Sequence, residues 1–248
     1  MERKIKGKRV ALFFVFAISS IALPTVGAYL GIYLFGIPKG VVEDFIGDNL
    51  VVVLASLLGY YLAIIPVWSY LATWASKIEP KEGVAPISKD ELITKLLALN
   101  DPELPWTIRR GEKEDLIAEW KIVDAKWIDI FAANKINIIH KLRIDLGQGV
   151  AHVQDVERKV SYRVGADGRP TATLRWSGHR GIDFYQYDWS AAYGVIYKDG
   201  KLKIDFAYKY KFNLQEMKNP IIEAVTENGW AWKGALSISP FWRIIFGG

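Results

Sequence analysis

Residues 10–38 read VALFFVFAISSIALPTVGAYLGIYLFGIP and residues 49–76 read NLVVVLASLLGYYLAIIPVWSYLATWAS, and neither stretch contains an Asp, Glu, Lys, Arg or His. A hydrocarbon core about 30 Å thick needs roughly 20 apolar residues at ~1.5 Å of helical rise each. Both stretches exceed that length, so they predict two transmembrane helices, 10–38 and 49–76, joined by a short acidic connector. A basic tail, residues 1–9, precedes them, and residues 77–248 form a separate β-rich domain large enough for a core of its own.

A cleaved secretory signal is the competing reading of the first stretch, because basic residues precede it and Val26-Gly27-Ala28 resembles a cleavage site. Signal cores run roughly 7 to 15 residues, whereas here the apolar run continues through Tyr29 to Phe35. Cleavage would cut one hydrophobic unit in two. The tail carries Arg3, Lys4, Lys6, Lys8 and Arg9, while the connector has Lys39 against Glu43, Asp44 and Asp48. The positive-inside rule then makes the tail cytoplasmic and the connector external, and a second crossing returns residues 77–248 to the cytoplasm of a bacterial-type inner membrane.

Small residues recur at one-turn spacing, Gly27 with Gly31 and Ala55 with Gly59 and Ala63. In lipid such notches let backbones approach closely, so these five positions are the expected helix-packing sites, against each other or against a partner. Pro24 and Pro66 each remove one helical hydrogen bond. Intramembrane charges mark most proton relays and ion paths, and their lack here argues against transport by this chain alone. Tyr29 and Tyr33 fit the outer interface, and Trp68, Tyr70 and Trp74 the inner one. The C-terminal run Pro240 to Phe246 is apolar with one cation and too short to span, so Phe241, Trp242 and Arg243 are expected at the membrane interface or on a partner.

In the C-terminal domain, Ser88-Lys89-Asp90-Glu91 is a capping box that should start a helix ending near Asn100. Trp106 to Arg110 and Leu116 to Val123 flank a charged turn and predict a hairpin. Trp127, Ile128 and Phe131 have helical spacing, giving a short helix over about 124–134. Alternation of period two follows for almost eighty residues, through Ile136 to Leu146, Val150 to Val164 and Lys201 to Phe212, with turns at Gly147-Gln148-Gly149, Asp167-Gly168 and Asp199-Gly200. Asn219 and Pro220 predict the cap and first turn of a helix ending at Gly229, before a last strand at Trp230. The fold class is α+β: a two-helix transmembrane hairpin, then a soluble domain on a long-stranded, strongly curved antiparallel sheet or barrel of seven or eight strands with about three helices.

Chemistry finds little support in the pattern. A hairpin turning on Gln148 would put His140 opposite residue 156 and His152 opposite residue 144, about 13 Å apart along the ladder and too far for one metal ion. Cysteine is absent, as are the phosphate-loop, dinucleotide, zinc-protease and nucleophile-elbow signatures. No cofactor and no metal are therefore expected. Six of the 32 Lys and Arg and four of the 27 Asp and Glu precede Lys77, so the C-terminal domain carries 26 against 23 and is only +3. That balance argues against nucleic acid as a partner. Lys198, Lys201, Lys203, Lys209 and Lys211 share a neighbourhood that suits anionic headgroups or merely stays wet. Seven tryptophans from Trp106 to Trp232 suit a packed core first and an apolar cavity second.

These readings converge on a non-catalytic membrane protein, a subunit, scaffold or assembly factor of a membrane complex. Its expected partners are lipids and either a membrane protein or a second copy of the chain. A lipid- or apolar-ligand-binding anchored domain is the alternative, and an enzyme whose signature is not visible is the third reading.

Overall fold

The computed structural model describes residues 7–122, 124, 127–128, 132, 137–164, 170–182, 196–198, 201–203 and 214–239. Two long apolar helices come first, α1 over Gly7–Phe35 and α3 over Leu50–Ala75, both long and apolar enough to cross a membrane. α1 stops at Gly36, whose φ of 62° lets the Ile37 amide donate back to the Ile32 carbonyl at 3.1 Å, the six-to-one bond of a Schellman cap. Pro38 then restarts the chain as α2, Lys39–Asp48, so the connector is itself helical. Asn49 links α2 to α3, its side-chain amide donating to the Phe45 carbonyl at 2.9 Å.

The C-terminal part is a curled antiparallel half-barrel sheet with a few helices. α4, Lys89–Leu97, begins at the expected capping box, where the Ser88 hydroxyl accepts from the Glu91 amide at 3.3 Å. Strands β1 (Trp106–Arg110), β2 (Leu116–Trp120), β3 (Ile138–Gly147), β4 (Val150–Val164) and β5 (Pro170–Gly181) then pair in sequence order as an antiparallel meander. A separate two-stranded ladder, β6 (Ile196–Lys198) and β7 (Lys201–Lys203), pairs Lys198 with Lys201, the register expected around Asp199-Gly200. The expected faces of residues 204–212 lie outside the described residues. So does most of the helix expected over 124–134, of which Trp127, Ile128 and Ala132 are helical.

Four expectations need correction. Gln148 and Gly149 both take positive φ, 52° and 75°, which makes a two-residue hairpin turn rather than one centred on Gln148. The register moves by one, pairing His140 with Glu157 and His152 with Asp145, so the two histidines lie on opposite faces of the sheet. The late helix, α5, spans Leu214–Glu227 and contains Pro220 instead of starting at it. Leu214, Met217, Lys218, Ile221, Ile222 and Val225 are all buried at helical spacing, and that stripe carries the helix through the proline. The last strand, β8 (Ala231–Gly234), runs parallel to β4, not antiparallel. Six strands share the main sheet among the described residues, fewer than the seven or eight of the expected meander.

β4 divides one edge between two neighbours. Val150 to Val153 pairs with β8, and Asp155 to Val164 pairs with β5, with a bulge between Val156 and Arg158. One face of the sheet carries Trp106, Ile108, Leu116, Ala118, Leu142, Ile144 and Val153, all buried in the core that Leu92 and Leu96 of α4 and Met217, Ile221 and Val225 of α5 complete. The tryptophans at 106, 120, 127, 230 and 232 belong to this packed core. The indole of Trp230 donates to the Ile87 carbonyl at 2.8 Å, so its one polar atom is satisfied while the ring is buried.

Candidate functional site

The helical hairpin is held by polar contacts between otherwise apolar helices. Ser20 of α1 is the hub: its carbonyl accepts from the Tyr60 hydroxyl at 2.9 Å and its hydroxyl accepts from the Trp68 indole at 2.8 Å. The Tyr61 hydroxyl donates to the Ile21 carbonyl at 3.3 Å. Outward, Leu12, Val15, Ile18 and Leu23 of α1 and Val51, Val52, Leu58 and Leu62 of α3 are exposed. A Cβ added at Gly27, Gly31 or Gly59 would meet no atom within 4 Å, so the chain does not fill these small-residue notches itself.

The interface aromatics divide into two kinds. Trp68 is half-buried by its bond to Ser20, and Trp74 lies beneath the Arg9 guanidinium, 5.2 Å from its ring centroid. Tyr70, Tyr29 and Tyr33 stay exposed. Phe241, Trp242 and Arg243 lie outside the described residues. The Ser20, Tyr60 and Trp68 triad escaped sequence reasoning because nothing in an apolar run announces which turn of one helix meets which turn of the other.

Where α3 ends, the hairpin is joined firmly to the sheet. Arg9 reaches Glu79 at 3.6 Å and Lys77 reaches it at 2.9 Å. The Lys77 hydrogen bond, acting against burial, holds the Glu79 carboxyl below its usual pKa, and the charges of Lys77 and Arg9 add to it. The Ser76 hydroxyl accepts from the Gly234 amide at 3.0 Å, and Ile78 exchanges two backbone bonds with Trp232, at 2.8 and 3.0 Å. A Cβ on Gly234 would sit 2.7 Å from the Ser76 hydroxyl, so this approach requires glycine.

On the other face of the sheet, strand alternation places Arg109, Lys141, Arg143, Arg158 and Arg180 around a cleft of about 400 Å³, with Lys113 at its rim. Ile117 and Val156, both buried, lie among them. Glu114 meets Arg143 in two bonds of 3.1 and 3.2 Å, and the same guanidinium donates to Gln154 at 3.1 Å. Burial opposes ionisation of Glu114, yet Arg143 outweighs it and the carboxyl stays below its usual pKa. Glu119 pairs with Arg109 at 2.8 Å and Lys141 at 3.7 Å. Burial pushes Lys141 below the ordinary lysine range; Glu119 opposes this, while Arg158 and Arg109 add to it.

Other carboxylates that could serve as an acid or base are accounted for in part. Glu119 sits in that ion-pair cluster, Asp124 accepts the Trp127 and Ile128 amides through its carbonyl, and Asp129, Asp183 and Asp188 lie outside the described residues. Among the described residues no three His, Asp or Glu side chains gather as metal ligands. The cleft went unseen in the sequence because its cations come from β1, β3, β4 and β5, and only the correct register puts them together. The signal was there in the alternation of Lys141 and Arg143 against Leu142 and Ile144.

The chain matches no protein-family model, no curated protein and no solved structure.

Proposed function

We propose that this is a non-catalytic, two-span protein of a bacterial-type inner membrane, with its tail and β-rich domain cytoplasmic, serving as a subunit, scaffold or assembly factor of a membrane complex. The observation that carries the reading is the surface of α1 and α3, whose large apolar side chains face outward along both helices with no charge from Val10 to the end of α1 or anywhere in α3. In water such a surface is strongly unfavourable, whereas in lipid it is the ordinary exterior of a helix. The unfilled notches at Gly27, Gly31 and Gly59 favour a further helix as neighbour, from a partner protein or a second copy. The firm seating of α3 on β8 fits a module held in a fixed pose against the bilayer rather than on a loose tether.

The test is extraction followed by cross-linking. Alkaline carbonate washing should leave the chain in the membrane, and mild detergent should release it with a stoichiometric membrane polypeptide or a second copy. Gly27→Leu with Gly59→Leu should abolish that association while leaving the chain membrane-bound. Release by carbonate alone would overturn the anchor, and a monodisperse single chain in mild detergent would overturn the subunit role. The apolar-ligand alternative draws less support, because the buried described tryptophans pack in the core and the cleft is lined by charged groups.

A further inference from the structure

We infer that the cleft on the charged face of the sheet is a binding site for a phosphate-bearing anion. It has the size of a small-ligand site, and its cations outnumber its carboxylates: six Lys and Arg stand against Glu112 and Glu114 in the lining and Glu119 beside it. Glu114 and Glu119 are already committed to Arg143, Arg109 and Lys141, and Glu112 is exposed. Arg158 is half-buried, and among the described residues no carboxylate pairs with it.

Holding Arg158 close to Lys141 and Arg109, with no carboxylate of its own among the described residues, opposes folding, because burial and like-charge repulsion both disfavour the arrangement. An arriving anion removes that penalty. Guanidinium forks bind tetrahedral oxyanions through two parallel bonds, and an ammonium adds a point charge. A phosphate monoester carries close to two negative charges at neutral pH, which matches the surplus better than the single charge of a carboxylate. The supporting groups are also fixed in place: Arg143 is braced by Glu114 and Gln154, and the Gln154 amide in turn donates to the Leu236 carbonyl.

Phosphate of this kind can come from a lipid headgroup or from a soluble compound. Val153 pairs with Gly234, which bonds Ser76 at the end of α3, and Val156 of the cleft lies three residues further along β4, about 10 Å away. A lipid source is therefore within geometric reach where α3 ends. The site itself does not depend on the membrane reading, since its geometry is entirely within the sheet.

The experiment uses the full chain in two settings. In neutral-detergent micelles it is titrated calorimetrically with inorganic pyrophosphate. In nanodiscs of phosphatidylcholine with or without phosphatidic acid, whose headgroup is a phosphate monoester, retained lipid is counted by native mass spectrometry. Arg158→Gln should weaken binding of the responsive probe at least about tenfold, the loss of one charge-assisted bond. Lys159→Gln removes an equal charge from the adjacent exposed residue on the opposite face and should leave binding within about twofold. Unliganded Arg158→Gln should melt no lower than the wild type, because the cation it removes has no ion-pair partner among the described residues. Pyrophosphate binding alone identifies a soluble phosphate, and phosphatidic acid retention alone a headgroup; either supports the site. Binding of neither probe, or equal losses in Arg158→Gln and Lys159→Gln, overturns it.

Discussion

Glu216 stands half-buried in the first turn of α5, and burial raises its carboxyl pKa from 4.5 to about 7. A raised carboxyl binds its proton more tightly in the folded chain than in the unfolded one. Its contribution to stability is complete below pH 4.5 and is lost as pH rises through about 7. Glu216→Gln should therefore melt higher than the wild type at pH 8 and equally at pH 4, measured by thermal unfolding in one detergent. An unchanged difference across that range would mean the carboxyl is not held neutral. Two residues further on, Lys218 forms with Asp155 an ion pair of 2.8 Å in which both side chains are 3 % exposed. Removing one partner leaves the other's buried charge without its ion pair, so Asp155→Asn or Lys218→Met should each cost about 3–5 kcal/mol. Asp155→Leu combined with Lys218→Met should recover most of that, because neither charge then remains to be desolvated. A double-mutant cycle by denaturant titration measures both.

At the scale of elements, what could be read from the chain was whatever is encoded locally. The capping box at Ser88 lies within one turn of α4, and the alternation of β3 lies within one strand; both appear as expected. α5 is present where a late helix is expected, but its start lies earlier, because the apolar stripe running back to Leu214 outweighs the proline signal at Asn219-Pro220. The tertiary burial of that stripe overrides a single missing amide. The parallel pairing of β8 with β4 could not be read at all, since it depends on α5 carrying the chain back across the sheet. The same pairing sets the seat of α3, which makes Gly234 a sharp probe of it. Gly234→Ala would put a methyl 2.7 Å from the Ser76 hydroxyl and 3.0 Å from Ile182, an overpacking worth about 1–3 kcal/mol. Gly147→Ala, where a Cβ meets nothing within 4 Å, is the matched control and should lie within about 0.5 kcal/mol of wild type in the same unfolding measurement.

For the whole molecule, the two apolar helices are the feature most plainly written in the chain, because length and the lack of charge are properties of composition rather than of contacts. The charged cleft is the opposite case: Arg109, Arg143, Arg158 and Arg180 are scattered over seventy residues and meet only through the registers of four strands. Arg9 at the start of α1 meets Trp74 and Glu79 at the end of α3, so the open ends of the hairpin lie together and α2 lies at the far end. In a bilayer that geometry demands that α2 and α4 face opposite compartments whichever way the hairpin is inserted. On the proposed reading, the charge difference between the basic tail and the acidic connector predicts α4 on the cytoplasmic side. Because the chain has no cysteine, single substitutions report the arrangement without background. Asp44→Cys on α2 and Lys95→Cys on α4 are both exposed. In sealed vesicles of known orientation, a membrane-impermeant maleimide should label the first only from the external side and the second only after the cytoplasmic side is opened. Labelling of both from one side would mean that the hairpin does not cross, and reversal of the two patterns would mean that the basic tail does not set the orientation.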